Sequence, residues 1–518
     1  MSAESLVRSV GRAVDPLALF EAATGGSRDA LLLESGDRTH AEKSLVVCGC
    51  ALRITARNRR VRIEALNANG EGLLPAIRTR MLHAARGVTE DISCRLEFAF
   101  PPISSANEED RLKAPGPADA LRAVLAAASE GKPEETPLLA GVFGYDFIDT
   151  FEALPPARLD TLAWPDLEFW LPDQMVWINH RLRTTRIVAF AFAGDANGRM
   201  RHRAAGNVAR LAAMCEGLPT DGAASVEGKN TQRPSSPISQ SANVDDAAFA
   251  GLVEKLKSHI HAGDVFQIVA SRSFSEPCEN PLAAYRRLRS LNPSPHMFFV
   301  SGVSGVLFGA SPESALSVDG SRRVSVQPIA GTRPRGRGAD GSIDPDLDSR
   351  LEAELRLDEK ELAEHLMLVD LARNDVARVS EPGTRSVDRL LTIARYSHVM
   401  HLVSGVSGLL RRDLDALHAY IATMNMGTLT GAPKVRAAEL LRTYEDDRRG
   451  PYGGAVGYIT ADGRMDTAIV IRAAVIADGI AHVRAGAGIV FDSRPAAEAA
   501  ETRNKAEAVL RAICGGSS

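Results

Sequence analysis

Residues Met297 to Gly309 read M-F-F-V-S-G-V-S-G-V-L-F-G. Two short apolar runs flank a Ser/Gly segment, and both are rich in the β-branched and aromatic side chains that suit a pleated surface. So short a connection predicts two antiparallel strands folded back on each other, because a parallel crossover needs a dozen or more residues. Downstream, D-E-K-E-L-A-E-H-L-M-L-V-D-L-A-R (Asp358 to Arg373) predicts a helix with Leu362, Leu366 and Val369 as its core stripe. Upstream, Ser44 to Val47 and Arg186 to Ala193 read as strands, and Ala118 to Ala128 as a helix. Strands and helices in mixed order, with hairpins and no run of βαβ units, give an α+β fold class.

Composition bounds the rest. Of 518 residues, 45% are hydrophobic and 24% charged, the balance of a chain that buries a core. A net charge of −4 provides no global basic field for nucleic acid or an anionic membrane. The basic run R-N-R-R-V-R (Arg57 to Arg62) reads as a solvated face. Cys48, Cys50, Cys94, Cys215, Cys278 and Cys514 are scattered, without a C-x-x-C pair, so neither a zinc site nor a disulfide framework is indicated. The first residues lack a signal-peptide apolar region, and no stretch is long and apolar enough to span a membrane. The expectation is a cytoplasmic protein. Residues 216–246 are polar and rich in Ser, Gly and Pro, a linker or mobile loop between portions 1–215 and 247–518.

Several constellations carry chemical possibilities. Glu361 and Glu364, and likewise Glu498 and Glu501, are three residues apart on helical segments, so each pair shares a face. Two such helices facing each other would gather four carboxylates, which suits Mg²⁺ because that ion takes one or two carboxylates directly and keeps waters. Surface pairing of Glu501 with Lys505 and of Glu361 with His365 accounts for the same spacing. Arg472 lies within T-A-I-V-I-R-A-A-V-I-A (Thr467 to Ala477), which reads as a buried strand. A cation there needs an anion, either a ligand carboxylate or an internal Asp or Glu. The glycine clusters at Gly427 to Lys434, Gly450 to Tyr458 and Ala485 to Gly488 fit no nucleotide loop. They are either backbone approaches to a small anion or ordinary turns.

Taken in order, these segments resemble the chorismate-utilising enzymes, most closely the anthranilate synthase large component. The strings that carry the resemblance are P-I-A-G-T-R-P-R-G (Pro328 to Gly336), the helix from Asp358 extended to Asp375, H-V-M-H-L-V-S-G (His398 to Gly405), the three glycine clusters, and D-S-R-P-A-A-E-A-A-E-T-R-N-K (Asp492 to Lys505). The resemblance implies antiparallel sheets in a sandwich-like core flanked by helices, with both portions intertwined. It implies Mg²⁺ on Glu364 and Glu501, with Glu361 and Glu498 on its waters. Gly331, Thr332, Tyr452, Arg472, Gly486, Ala487 and Gly488 would hold the carboxylates of chorismate. Glu313 would protonate the departing hydroxyl, a role that needs a raised pKa. His401 and Thr428 match positions implicated in the second step, loss of pyruvate. Ala330 stands where aminodeoxychorismate synthases carry a nucleophilic lysine, and Gln267 where isochorismate and salicylate synthases carry a lysine that activates water. Both favour ammonia as the nucleophile and anthranilate as the product.

L-L-L-E-S (Leu31 to Ser35) resembles the tryptophan-binding element of feedback-inhibited relatives. Lys43, Pro295, His296 and Met297 would join Glu34 and Ser35 around the amino acid, which makes 1–215 a regulatory portion and 247–518 the catalytic one. No glutaminase nucleophile elbow is found. Glutamine use would then require a separate amidotransferase subunit, assembled as a heterotetramer. The remaining alternatives are a sister enzyme, chiefly aminodeoxychorismate synthase, and a catalytically silent tryptophan-binding regulator.

Overall fold

The computed structural model describes residues 3–36, 43–82, 84–85, 87–103, 107–192, 198–221, 241–338, 341–396 and 399–515. Residues 222–240, the bulk of the polar segment, lie outside the described residues, as do Ala193 and His398.

Two antiparallel sheets share their two longest strands, Lys43–Arg57 and Leu167–Asn179. The register between these strands slips around Val47 to Leu52, and each strand changes its outer neighbour there. Before the slip, Lys43–Arg57 borders Ala30–Glu34; after it, the neighbour is Arg60–Ala65. Bulges bend a strand and increase its twist, so one strand can serve two sheets.

The first sheet runs from Glu4–Val10 and Thr184–Ala191 across the long strands to Ala30–Glu34, His296–Gly302, Gly305–Ser311, Ala473–Ala477, Ile480–Ile489 and Gln267–Pro277. The second runs from Arg95–Ala99 and Arg60–Ala65 to Leu138–Phe143, Ala455–Thr460, Met465–Ile469, Ser314–Val318, Arg323–Val326 and Val399–Leu409. Neither series returns to its starting strand, so both sheets are open. Strands from both sides of the polar segment pair directly: Met297 sits opposite Glu34, and Ala455 opposite Phe143.

Apolar side chains of both sheets meet in one core, where Leu31, Phe298 and Leu307 join Phe143, Phe169, Leu316 and Val406. The other face of the first sheet is covered by helices Pro16–Thr24, Arg199–Gly217, Pro281–Leu291 and Pro495–Cys514. Their Leu17, Leu211, Leu288 and Leu510 pack on Val46, Val176, Phe308 and Val483. The result is the expected α+β sandwich flanked by helices. Among the described residues no helix is long and apolar enough to cross a membrane.

The expected hairpin forms, with Phe299 opposite Phe308. Three local expectations change. The helix capped by Asp358 spans Glu359–Val379, but it buries His365, Leu368, Val369, Ala372, Val376 and Val379, while Leu366 is 47% exposed. The core face is therefore rotated away from Leu366, and Glu361 and Glu364 border it. Residues 467–477 are not one strand: Met465–Ile469 and Ala473–Ala477 belong to different sheets, and Arg472 at the break has φ of 49°. The basic run is only partly a solvated face, because Arg59 donates to the carbonyls of Pro101, Thr150 and Pro115 and so ties three loops together.

Candidate active site

The site begins on the ribbon of Gln267–Pro277 and Ile480–Ile489, where Val269 faces Gly488 and Ser271 faces Gly486. Both glycines permit close approach. A β-carbon at Gly488 would stand 2.8 Å from Gln267 Nε2, and one at Gly486 would stand 2.8 Å from the Tyr452 hydroxyl. Buried Gln267 uses the space at Gly488 to donate from Nε2 to Glu364 Oε1 at 2.8 Å. Its own Oε1 is buried without a partner.

Glu364 belongs to the Glu359–Val379 helix, and Glu498 and Glu501 to the helix Pro495–Cys514, opened by Pro495 at its first turn. The two helices face a common space: the charge of Lys360 reaches Glu498, and that of Lys505 reaches Glu364. Burial raises the pKa of Glu364, and the charge of Glu361 raises it further. Burial also raises that of Glu498, aided by Glu501. Glu498 Oε2 is buried without a hydrogen-bond partner. Among the described residues no three carboxylate, imidazole or thiol side chains already form a metal cage. Hard, under-compensated carboxylate oxygens on two facing helices nonetheless fit Mg²⁺, which needs only one or two of them together with waters.

The sequence left open whether Arg472 faces a ligand or an internal carboxylate. Arg472 makes no ion pair and no side-chain hydrogen bond among the described residues; Glu501, whose charge it feels, is paired instead with Lys505 at 2.6 Å. Burial lowers its pKa, and Tyr452 and Glu501 oppose that shift only through space. A cation held in left-handed backbone and left without a carboxylate is suited to a carboxylate that arrives from outside. Tyr452 is buried beside it, its hydroxyl against Gly486.

Glu313 sits between the strands Gly305–Ser311 and Ser314–Val318. Ser311 Oγ accepts from its N–H, and its carbonyl accepts from Ile469 N–H. Burial pushes its carboxyl up to about 8, against smaller opposing effects of the Thr428 hydroxyl and Lys505. It is thus a carboxylic acid still protonated at neutral pH. Thr428, in the short helix Gly427–Thr430, is close enough to influence Glu313, but its hydroxyl makes no well-formed hydrogen bond.

His401 lies opposite Thr332, next to a register slip whose extra residue is Gly331, with φ of 74°. Its Nδ1 is 2.9 Å from Thr332 Oγ1 and 3.4 Å from the Gly331 carbonyl. The carbonyl can only accept, which favours the proton on Nδ1 and leaves Nε2 as a lone pair. Burial lowers the imidazole pKa to about 4, so His401 is neutral at neutral pH. Glu361 connects the two regions: its Oε2 is 3.3 Å from a β-carbon placed on Gly331, and its Oε1 accepts from Arg333 at 3.2 Å. Ala487 pairs with Ala270 in the ribbon, and Ala330 pairs with Leu402.

The tryptophan-element residues come together at neighbouring strand ends. Glu34 pairs with Met297, Gly36 N–H donates to Ser294 O at 2.9 Å beside Pro295, and His296 pairs with Ser311. Lys43 opens the strand that borders Ala30–Glu34, two residues before the Leu33–Leu45 pair, which brings it level with Ser35. The Glu34 carboxylate points inward, accepting from the Tyr285 hydroxyl at 2.5 Å and pairing with Arg289 at 3.1 Å.

Sequence reasoning missed the support behind Tyr452. Arg449 lies 5.9 Å from its ring centroid and pairs with Glu445 at 2.7 Å, and Glu445 also accepts from Ser271 and Arg484. The i,i+4 spacing of Glu445 and Arg449 was visible but is shared by countless surface pairs; here both are buried. A cavity of about 300 Å³ lies behind them, lined by Ser271, Ser273, Arg484 and Tyr452.

The chorismate binding enzymes match residues 85–511 of this chain, spanning the polar segment. It is 49% identical to anthranilate synthase component 1 of Escherichia coli and 48% identical to that of Vibrio cholerae, in each case over 96% of this chain and 94% of the relative. The crystal structure of anthranilate synthase component I from Streptococcus pneumoniae superposes with a TM-score of 0.66 at 28% identity, covering 91% of this chain and 93% of that one. A menaquinone-specific isochorismate synthase from Escherichia coli shares the fold, with a TM-score of 0.63 at 16% identity over 99% of this chain and 95% of its own. With the family match running over residues 85–511 and relatives this similar along nearly their whole length, the chain belongs to the family of chorismate binding enzymes.

Proposed function

We propose that the protein is an anthranilate synthase large subunit, which converts chorismate and ammonia to anthranilate and pyruvate through an aminodeoxyisochorismate intermediate. The carrying observation is Gln267: a neutral amide, bonded to Glu364, stands where a lysine base would have made water the nucleophile. Arg472 and Tyr452 hold one carboxylate of the substrate, with the backbone of Gly486 to Gly488 and of Gly331 and Thr332 taking the rest. Glu313, protonated at neutral pH, gives its proton to the departing ring hydroxyl, which leaves as water while ammonia adds to the ring. His401, neutral and with a free Nε2, takes up a proton as pyruvate is lost, with Thr428 beside Glu313.

Glu364 and Glu501, with Glu361 and Glu498 on bound waters, would hold Mg²⁺, whose charge neutralises the ring carboxylate. Tryptophan binding by Glu34, Ser35, Lys43, Pro295, His296 and Met297 makes 1–215 the regulatory portion, joined through 216–246 to the catalytic 247–518. An amidotransferase subunit supplies ammonia from glutamine in a cytoplasmic heterotetramer; the component 1 names of the relatives support the presence of a partner subunit.

The test is anthranilate fluorescence from purified protein given chorismate, ammonium at mildly alkaline pH and Mg²⁺, with and without tryptophan. Metal-dependent anthranilate that falls with tryptophan supports the whole reading. Chorismate consumed without anthranilate would assign a sister activity, and no consumption would leave a tryptophan-binding regulator.

A further inference from the structure

Spacing alone makes Lys505 a surface partner of Glu501. The structure gives its ammonium more. Nζ lies 2.6 Å from Glu501 and also donates to the Gly486 carbonyl at 3.0 Å, which draws it inward to the ribbon. From there its charge is felt by Glu313, Glu364 and Glu498, on three separate elements.

The two carboxylates proposed as direct metal ligands are thus held in different ways. Glu364 accepts from the neutral Gln267 amide, and Glu501 is held by a full positive charge. Arg333 bonds Glu361, one of the carboxylates proposed to hold waters, and Lys360 acts through space on the other, Glu498, and on Glu364. Carboxylates crowded on two facing helices repel one another unless a cation lies among them, and an ammonium on a flexible four-carbon stem can supply that charge and withdraw.

We propose that Lys505 is a built-in stand-in for the divalent cation, holding Glu501 while the carboxylates are metal-free and releasing it when metal binds. This rests on the Mg²⁺ site proposed above. Lys505 is a positioning residue in this role, and its effect is on metal affinity rather than on the chemical step.

The experiment measures Mn²⁺ binding to the full chain, without chorismate, by counting free ion with electron paramagnetic resonance. Wild type should bind Mn²⁺, Glu501→Gln should bind it weakly, and Lys505→Met should bind it about tenfold more tightly, because a competing charge a few ångströms from a divalent ion is gone. If wild type binds and Lys505→Met binds equally or more weakly, the stand-in role is overturned and the metal site stands. If neither wild type nor Lys505→Met binds Mn²⁺, the metal site itself is wrong and the stand-in role falls with it. A second measurement needs no variant: amine acylation of wild type read by mass spectrometry at Lys505. Mn²⁺ should increase labelling several-fold as the ammonium leaves Glu501, and labelling unchanged by Mn²⁺ overturns the proposal.

Discussion

Replacing Glu313 by Gln should destroy activity and at the same time stabilise the protein. The folded carboxyl titrates at about 8, against an ordinary value of 4.5. At pH 7 roughly nine in ten molecules carry the proton at this position, against roughly three in a thousand for an unshifted Glu. That difference lets it serve as a general acid, and losing such a group costs about 10²- to 10⁴-fold in kcat. The same shift is a stability term. Between pH 4.5 and 8 the folded state binds more protons than the unfolded state, so stability falls as pH rises through this window. The slope is about 1.4 kcal/mol per pH unit, which amounts to about 3 kcal/mol by pH 7 and levels off above the folded pKa. Gln needs no proton and removes the slope. Urea unfolding of the metal-free, substrate-free protein at several pH values should therefore show Glu313→Gln drawing ahead of wild type as pH rises. An equal pH dependence in the two proteins would mean that Glu313 is ionised at neutral pH, and the acid role would be refuted whatever the loss of activity.

Gly488→Ala places a methyl 2.8 Å from Gln267 Nε2 and should dislodge that amide from Glu364, cutting kcat by about tenfold or more with an unchanged circular dichroism spectrum. Arg472→Met removes a half-buried cation that has no ion-pair partner among the described residues; KM for chorismate should rise about 100-fold while the thermal midpoint does not fall. Ser35→Phe should relieve tryptophan inhibition without changing uninhibited kcat, and inhibition curves that superimpose on wild type would reject the site. His401, neutral until about pH 4 when folded, against an ordinary 6.5, makes stability fall as pH drops through that interval; His401→Asn should flatten this acid limb in urea titrations.

The hairpin at Met297 to Gly309 was legible because turn chemistry and strand composition are local, and the carboxylate spacings were legible because helical period is. The inward face of the Glu359–Val379 helix was not. His365 and Asp375 are polar yet buried, His365 Nε2 bonded to Ser404 at 2.7 Å and Asp375 to Lys434 at 2.5 Å, partners supplied only by tertiary structure. Leu366 accordingly looked like core and is not. The break at Arg472 left no trace in an unbroken apolar run, because composition does not record a left-handed backbone angle. Arg449 was hidden differently: an i,i+4 ion pair with Glu445 looks the same in sequence whether it faces water or the interior, and the Gly486 carbonyl that Lys505 reaches is a partner only tertiary structure supplies.

The sharing of strands between the sheets has a consequence for how the chain is made. The first sheet contains Lys43–Arg57 near one terminus and Ile480–Ile489 near the other, and the helix Pro495–Cys514 closes over it last. Ala30–Glu34 meets its neighbour His296–Gly302 only after more than half of the polypeptide has been synthesised. Until then its backbone donors and acceptors stand as an open edge that other chains can join. Neither sheet can be completed by one portion alone, and pairings so distant in sequence form slowly. Folding therefore cannot be completed until strands from both portions have been made, and half-made or truncated chains expose edges open to association.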